Sequence, residues 1–326
     1  MPGMGASRRG AAHVAWLALL ACLSAAGTRA AAQPRVTLTY LGTAGWEISD
    51  GRIVVLVDPY LSRLRSVAPN DDTLPGDSRR FFAREDTARS DTAVIDAHVH
   101  RADFILVTHS HVDHVLDVPY IARRTGATII GTETTRNIAR AYGVPGRQIL
   151  AVRGGEDYQL GALSVRVIPS LHGVLRNAPY VRPNLDGPSP TPIGSDARAP
   201  LRVGDFRADG GTLAFLIRLG GREILAFGSM NYVEREVDGL RPDVALVGAM
   251  PERAAIHDYT TRLLRALGDP PLVLPTHWDA FNVPYGASQA SAAAREQSFV
   301  AEVRAASPRT RVIVPTYFVP IVLPPN

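Results

Sequence analysis

The sequence predicts an α/β protein, an αββα sandwich of two similar halves, on three observations. Short apolar runs broken by glycine turns come first and alternating helices and strands follow. The same order then occurs a second time. The composition, 46% hydrophobic and 20% charged, suits a globular chain with a sizeable core.

Val36 to Tyr40, Gly45 to Ile48 and Ile53 to Val57 are apolar or alternating runs punctuated by Gly42, Gly45 and Asp50-Gly51, the pattern of an antiparallel meander. Ser62 to Ser90 is polar and rich in arginine, a long excursion of the kind that serves as a lid or an exposed loop. Phe104 to Val107 is a buried strand that runs straight into a histidine-rich loop. Two helix–strand units follow: Tyr120 to Thr125 with Ala127 to Ile130, then Glu133 to Tyr142 with Ile149 to Val152. The second half opens with the alternating strand Leu163 to Pro169, which ends at Ser170-Leu171-His172-Gly173. A proline-rich excursion, Leu175 to Asp209, precedes Thr212 to Leu219 and Glu223 to Phe227, whose Gly220-Gly221 junction marks a hairpin. Val244 to Val247 and Val273 to Leu274 are buried strands separated by a helix near Thr260 to Leu267. A helix around Ala292 to Ala306 leads to a last strand, Arg311 to Val314.

Residues 1–32 have the form of a signal peptide. Arg8-Arg9 is a basic start, Ala11 to Ala26 an apolar run too short for a membrane span, and Ala30-Ala31-Ala32 a small-residue cleavage site before Gln33. An exported, periplasmic or secreted protein is therefore expected, with two variants open: a lipid anchor at Cys22 in Leu19-Leu20-Ala21-Cys22, or a twin-arginine signal. Cys22 is the only cysteine, so cleavage after Ala32 leaves no disulfide, no thiol nucleophile and no thiolate ligand. Lysine is absent. Beyond residue 32 the chain has 32 arginines against 31 acids, a balance that argues against a nucleic-acid or anionic-membrane partner; a small-molecule substrate is the expected partner.

Thr108-His109-Ser110-His111-Val112-Asp113-His114 places three imidazoles and a carboxylate in one loop directly after a buried strand. Such donors suit zinc, held by His nitrogen at about 2.0–2.1 Å and by carboxylate oxygen at about 2.0–2.2 Å. Four polar ligand-type side chains packed so closely would be costly without a partner. His172 and His277 (the latter in Leu274-Pro275-Thr276-His277-Trp278) end other strands, where a site built from loops needs further ligands. His98-Val99-His100 has ligand-like spacing but precedes the strand in a helix or turn and is read as solvated.

With these residues the chain resembles the metallo-β-lactamase superfamily, whose signature is His-x-His-x-Asp-His followed by later ligands at strand ends. Leu41-Gly42-Thr43-Ala44-Gly45 and Val57-Asp58-Pro59-Tyr60-Leu61 are similar to the branch that includes L-ascorbate-6-phosphate lactonase and N-acyl-phosphatidylethanolamine phospholipase D. The resemblance implies that residues 33–326 are one metallo-β-lactamase-like domain. It implies that His109, His111 and His172 hold a first metal, that Asp113, His114 and His277 help hold a second, and that Asp58 supports them from behind. Where relatives carry a bridging Asp after the strand that follows the hairpin, this chain has Phe227-Gly228-Ser229-Met230-Asn231. Ser229 is a poorer ligand than a carboxylate, so the second ion is expected to bind more weakly, unless Asn231 or Glu234 reaches in.

The expected function is hydrolysis of an ester, lactone or phosphodiester by hydroxide on zinc, with two ions and with Asp113 also steering the proton; iron or manganese remains open as the metal. A β-lactamase, an iron-dependent oxidoreductase and a metal-binding non-enzyme are the alternatives. Arg176, Tyr180 and Arg182 in the second excursion, together with His257 and Trp278, are the candidate substrate contacts. Each of the last two also reads as an ordinary residue, at a helix entry and in packing respectively.

Overall fold

The computed structural model describes residues 1–3, 35–66, 74, 76–174 and 191–324. The expected cleavage site after Ala32, the expected alternative of a lipid anchor at Cys22, all of the expected signal segment but residues 1–3, and the expected contacts Arg176, Tyr180 and Arg182 lie outside the described residues.

The first half consists of β1 (Thr37–Gly42), β2 (Gly45–Ser49), β3 (Val54–Val57), β4 (Arg65–Ser66), β5 (Phe81–Phe82), α1 (Thr92–His98), β6 (Phe104–Leu106), α2 (Val112–Val115), α3 (Val118–Thr125), β7 (Thr128–Gly131), α4 (Glu133–Ala141) and β8 (Ile149–Ala151). The second consists of β9 (Asp157–Leu160), β10 (Leu163–Ser170), β11 (Thr212–Leu219), β12 (Arg222–Phe227), α5 (Glu234–Val237), β13 (Val244–Gly248), α6 (Tyr259–Ala266), β14 (Leu272–Thr276), α7 (Ala290–Ala306) and β15 (Arg311–Val312), before the C-terminal β16 (Pro320–Val322).

These elements form an αββα sandwich. One seven-stranded sheet has the order β16-β1-β2-β3-β6-β7-β8 and the other β9-β10-β11-β12-β13-β14-β15. The two match strand for strand. In each, three antiparallel pairings (β16–β1–β2–β3 and β9–β10–β11–β12) are followed by three parallel ones (β3–β6–β7–β8 and β12–β13–β14–β15). The repeat is structural, since β16 returns from the far end of the chain to fill the place that β9 fills in the other sheet.

Strand alternation decides which layer each side chain enters. In the first sheet Val55, Val57, Leu106 and Ile130 join the core between the sheets, together with Val165, Phe215, Leu246 and Leu274 of the second. Their neighbours Leu56, Ile105 and Ile129 face the other way, against Ile95, Ile121 and Ile138 of α1, α3 and α4. Local signals set the helix ends. Asp91 caps α1 by accepting from Val94 N, Thr132 caps α4 through Thr135 N, and Gly126 closes α3 in the left-handed conformation.

The two excursions pair with each other. Thr87 bridges Arg202, Ala88 N–H donates to the Leu201 carbonyl, and Val203 N–H to that of Asp86. Leu201 and Phe206 are buried in the outer core of the first half. This end of the second excursion is thus fixed scaffold, and it carries its chain over the histidine loop: Ser110 N–H donates to the Asp209 carbonyl at 2.7 Å and Leu213 N–H to that of Thr108 at 2.8 Å. No helix among the described residues is long and apolar enough to cross a membrane.

Candidate metal centre

The site lies where strands end, as crevice sites in open α/β sheets do. Asp58 follows β3, His109 and His111 lie in the loop after β6, Asp113 and His114 on the short helix α2 that this loop enters where the sequence suggested loop throughout, His172 follows β10, Gly228-Ser229 follows β12 and His277 follows β14. These loops bring together six side chains in two groups. His109, His111 and His172 present ligand atoms within 4.8 Å of one another, and so do Asp113, His114 and His277. The groups adjoin, with the ring centroids of His109 and His114 3.8 Å apart. Asp113 Oδ2 lies 3.2 Å from His277 Nε2 and 3.6 Å from His114 Nε2.

A second layer fixes four of the five rings, whereas His277 Nδ1 is buried with no hydrogen-bond partner. Asp58, fully buried, accepts His114 Nδ1–H at 2.8 Å and Thr108 N–H at 2.7 Å, and also takes the Thr108 hydroxyl. Because that hydroxyl donates to Asp58, its oxygen is left to accept from His109 Nδ1 at 3.1 Å. His111 Nε2 meets the Arg207 carbonyl at 3.1 Å, and His172 Nδ1 the Gly173 carbonyl at 2.9 Å. Each neutral ring then keeps its lone pair on the opposite nitrogen: Nε2 of His109, His114 and His172, and Nδ1 of His111. His109 Nε2 is a buried nitrogen with no hydrogen-bond partner, an orphan that the fold gives no protein group to satisfy.

The electrostatics fit ligands. Burial first, then the neighbouring imidazoles, pushes His109 well below the usual histidine range. The same causes bring His111 down to about 4 and lower His172. Burial alone would raise Asp113, but His114 and His277 hold its carboxyl well below the carboxylate range. Burial opposes charge on His114 too, yet Asp113 and Asp58 on its two sides raise it. At neutral pH the first group is three neutral imidazoles, and Asp113 of the second is an ionised carboxylate.

Two backbone features support the site. Asp58 and His277 have φ of +40° and +51°, a region in which non-glycine residues are strained by about 1–3 kcal/mol and which clusters at functional sites. A Cβ on Gly228 would stand 1.9 Å from Thr108 Oγ1 and 2.5 Å from Asp58 Oδ2, so only glycine lets β12 pass behind them.

The other expected positions fall as follows. The Ser229 hydroxyl accepts Gly173 N–H at 2.8 Å, beside His172. Asn231 donates to the His172 carbonyl at 3.1 Å and accepts Tyr232 N–H, which makes it a brace for that loop. Glu234 does not reach in. It pairs with Arg262 on α6, because α5 and α6 pack side by side. Trp278 packs against the stacked pair Tyr40 and Tyr317, 6.2 Å from each ring, in the hydrophobic core, so its packing role is the one observed. His257 is exposed at the entry to α6. His98 corrects the solvated reading: it is half-buried, stacked 3.6 Å from Phe318 at an interplanar angle of 4°, while His100 is exposed.

Sequence reasoning missed the residues that hold these loops. Thr108 and Gly228 were legible only as neighbours of ligands. Arg63 and Asp279, an ion pair at 2.8 Å with side chains 1% and 0% exposed, carried no local sign that they would be buried.

A family model described as a beta-lactamase superfamily domain matches residues 54–278. A protein of Heliobacterium modesticaldum named metal-dependent hydrolase is 26% identical over 261 residues, 76% of this chain and 84% of its own. A metallo hydrolase from Ignicoccus hospitalis superimposes with a TM-score of 0.54 at 17% identity, over 89% of this chain and 99% of its own. The diiron beta-hydroxylase of Streptomyces venezuelae does so with 0.51 at 18% identity, over 88% of this chain and 54% of its own; these two likenesses show the fold. By its matched region, its sheets and its histidine-rich strand ends, the chain belongs to the metallo-β-lactamase superfamily of metal-dependent hydrolases.

Proposed function

We propose that the chain hydrolyses an ester, lactone or phosphodiester of small-molecule size, using zinc held by His109, His111 and His172 and a second, weaker ion held by Asp113, His114 and His277. The observation that carries this reading is the adjoining pair of three-donor groups, each with a buried nitrogen that has no hydrogen-bond partner, His109 Nε2 in the first and His277 Nδ1 in the second. The donor set is nitrogen and oxygen without sulfur, which suits zinc and also iron. Zinc lowers the pKa of a bound water to about 7 and so supplies a nucleophile at neutral pH.

The chain's own residues do the rest. Asp58, Thr108 and the carbonyls of Arg207 and Gly173 fix the ring tautomers, so the donors are set before any ligand arrives. Asp113, kept ionised by His114 and His277, is the carboxylate placed to accept the proton that an attacking water must lose. Ser229 contributes a neutral hydroxyl where a carboxylate would add charge, which favours a weaker second ion. The basic start, apolar run and small-residue site of residues 1–32 support export to the periplasm or beyond.

The test is turnover on an ester, lactone and phosphodiester panel with metal analysis of the same sample. His111→Ala and Asp113→Ala should abolish turnover with the fold intact, and unchanged turnover in either would refute the assignment. Stoichiometric iron in place of zinc would instead favour oxidative chemistry, which the Streptomyces venezuelae beta-hydroxylase carries on this fold.

A further inference from the structure

We propose that the buried pair Arg63–Asp279 is a positioning device for His277, and that it sets how tightly Asp113, His114 and His277 hold their ion. This inference rests on the proposed function and concerns the same site.

Asp279 lies two residues past His277 and is fully buried. Its Oδ1 accepts the Tyr40 hydroxyl at 2.7 Å and Thr43 N–H at 2.9 Å. Its Oδ2 accepts the Tyr317 hydroxyl at 2.7 Å and pairs with Arg63 Nη1 at 2.8 Å. The Thr43 carbonyl in turn accepts Thr276 Oγ1 at 3.2 Å and the backbone N–H of His277, with the Tyr40 hydroxyl oxygen 2.8 Å away and its one proton shared between this carbonyl and Asp279. The Asp279 carboxylate therefore grips the one residue whose carbonyl holds the ligand's backbone.

Both ends of that link are strained. Thr43 and His277 have φ of +56° and +51°, and such conformations persist only where the surroundings over-determine them. Arg63 completes the constraint. Its Nε and Nη2 donate to the carbonyls of Val283 and Ala280, and its guanidinium lies 4.8 Å from the Tyr285 ring centroid and 5.5 Å from that of Tyr317. Three segments, the β1–β2 turn, the start of the first excursion and the loop after β14, are thus tied at one point. Gly42 makes room for it, since a Cβ there would stand 2.6 Å from Arg63 Nη1.

Stability alone is a weak reason for such a pair, because apolar residues of similar volume often do as well or better in its place. Specifying one geometry for His277 is the role that the directed hydrogen bonds to Thr43, Tyr40 and Tyr317 add to packing.

The test titrates Zn2+ into the metal-stripped full chain by calorimetry, for wild type, Asp279→Asn and Tyr317→Phe, with His277→Ala marking which binding step belongs to the His277 group. Unfolding temperature is measured alongside. Asp279→Asn should weaken that step by about 10–100-fold and leave the other step within twofold of wild type. Tyr317→Phe, which removes one hydrogen bond and no charge, should weaken the same step several-fold. Wild-type affinity at both steps in a folded Asp279→Asn protein would overturn the proposal. So would equal weakening of both steps in proportion to lost stability, which is what a merely structural pair gives. If Asp279→Asn does not fold, Tyr317→Phe decides by the same criteria. A wild-type chain that takes up no Zn2+ would remove the proposed function itself, whereas failure confined to the variants would remove only this inference.

Discussion

Adding one methyl group at Gly228 should disable the candidate centre without touching a ligand. The Cβ of Gly228→Ala would meet Thr108 Oγ1 at 1.9 Å, Asp58 Oδ2 at 2.5 Å and Thr108 Cβ at 2.7 Å, where ordinary contact begins at 3.4 Å. The shortest approach must therefore open by about 1.5 Å, several times the few tenths that a neighbour can give. Neither partner can yield freely. Thr108 is fully buried and tied to Asp58 through both its backbone and its hydroxyl, and Asp58 holds His114 Nδ1 at 2.8 Å. Overpacking of this kind costs about 1–3 kcal/mol. Displacing Asp58 from His114, and Thr108 from His109, should further cost about 10–100-fold in metal affinity. The assay is Zn2+ affinity beside thermal unfolding of the metal-free protein. Gly228→Ala should be less stable and bind Zn2+ at least tenfold more weakly. A variant with wild-type stability and wild-type affinity would show that the second layer does not support the donors in the way described.

Asp58→Asn should lower Zn2+ affinity by about 10–100-fold with the secondary structure unchanged by circular dichroism, because an amide is a weaker acceptor for His114 Nδ1–H. The metal-free protein should lose stability as pH falls from about 6.5 to about 4. Over that range the unfolded chain binds protons on histidines that burial keeps neutral in the folded state, His111 down to about 4 and His109 and His172 also lowered, so stability rises with pH through the window. A flat unfolding temperature across that range would contradict the assigned burial. Saturating Zn2+ should raise the unfolding temperature of wild type and raise it less for His109→Ala, as expected when the ion binds only the folded chain.

Much of this architecture can be read from local pattern. The glycine-punctuated meander, the Gly220-Gly221 hairpin and the helix–strand units each leave a period or a turn residue in the sequence, and β1 to β3, β11, β12, α3 and α4 fall where those signals lie. Ligand-type residues are legible for a different reason: histidine is scarce, so His172 and His277 at the ends of apolar runs stand out. What depends on distant partners leaves no such mark. β16 is three residues in a proline-rich tail, and it is a strand only because β1 offers it an edge. Arg63 and Asp279 look like surface charges until the fold buries them against each other. The pairing of Thr87 with Arg202 joins two segments that read as independent loops, and Glu234 is drawn away from the site by Arg262 on a neighbouring helix.

The central claim is that donors distant in sequence converge on the same ions. Anomalous X-ray scattering from crystals of the Zn2+-loaded protein tests it most directly. The account predicts one peak about 2.0–2.1 Å from nitrogens of His109, His111 and His172, and a second, weaker one bonded to Asp113, His114 and His277. Zinc bound elsewhere, or a loaded crystal with no peak between these six side chains, would contradict it.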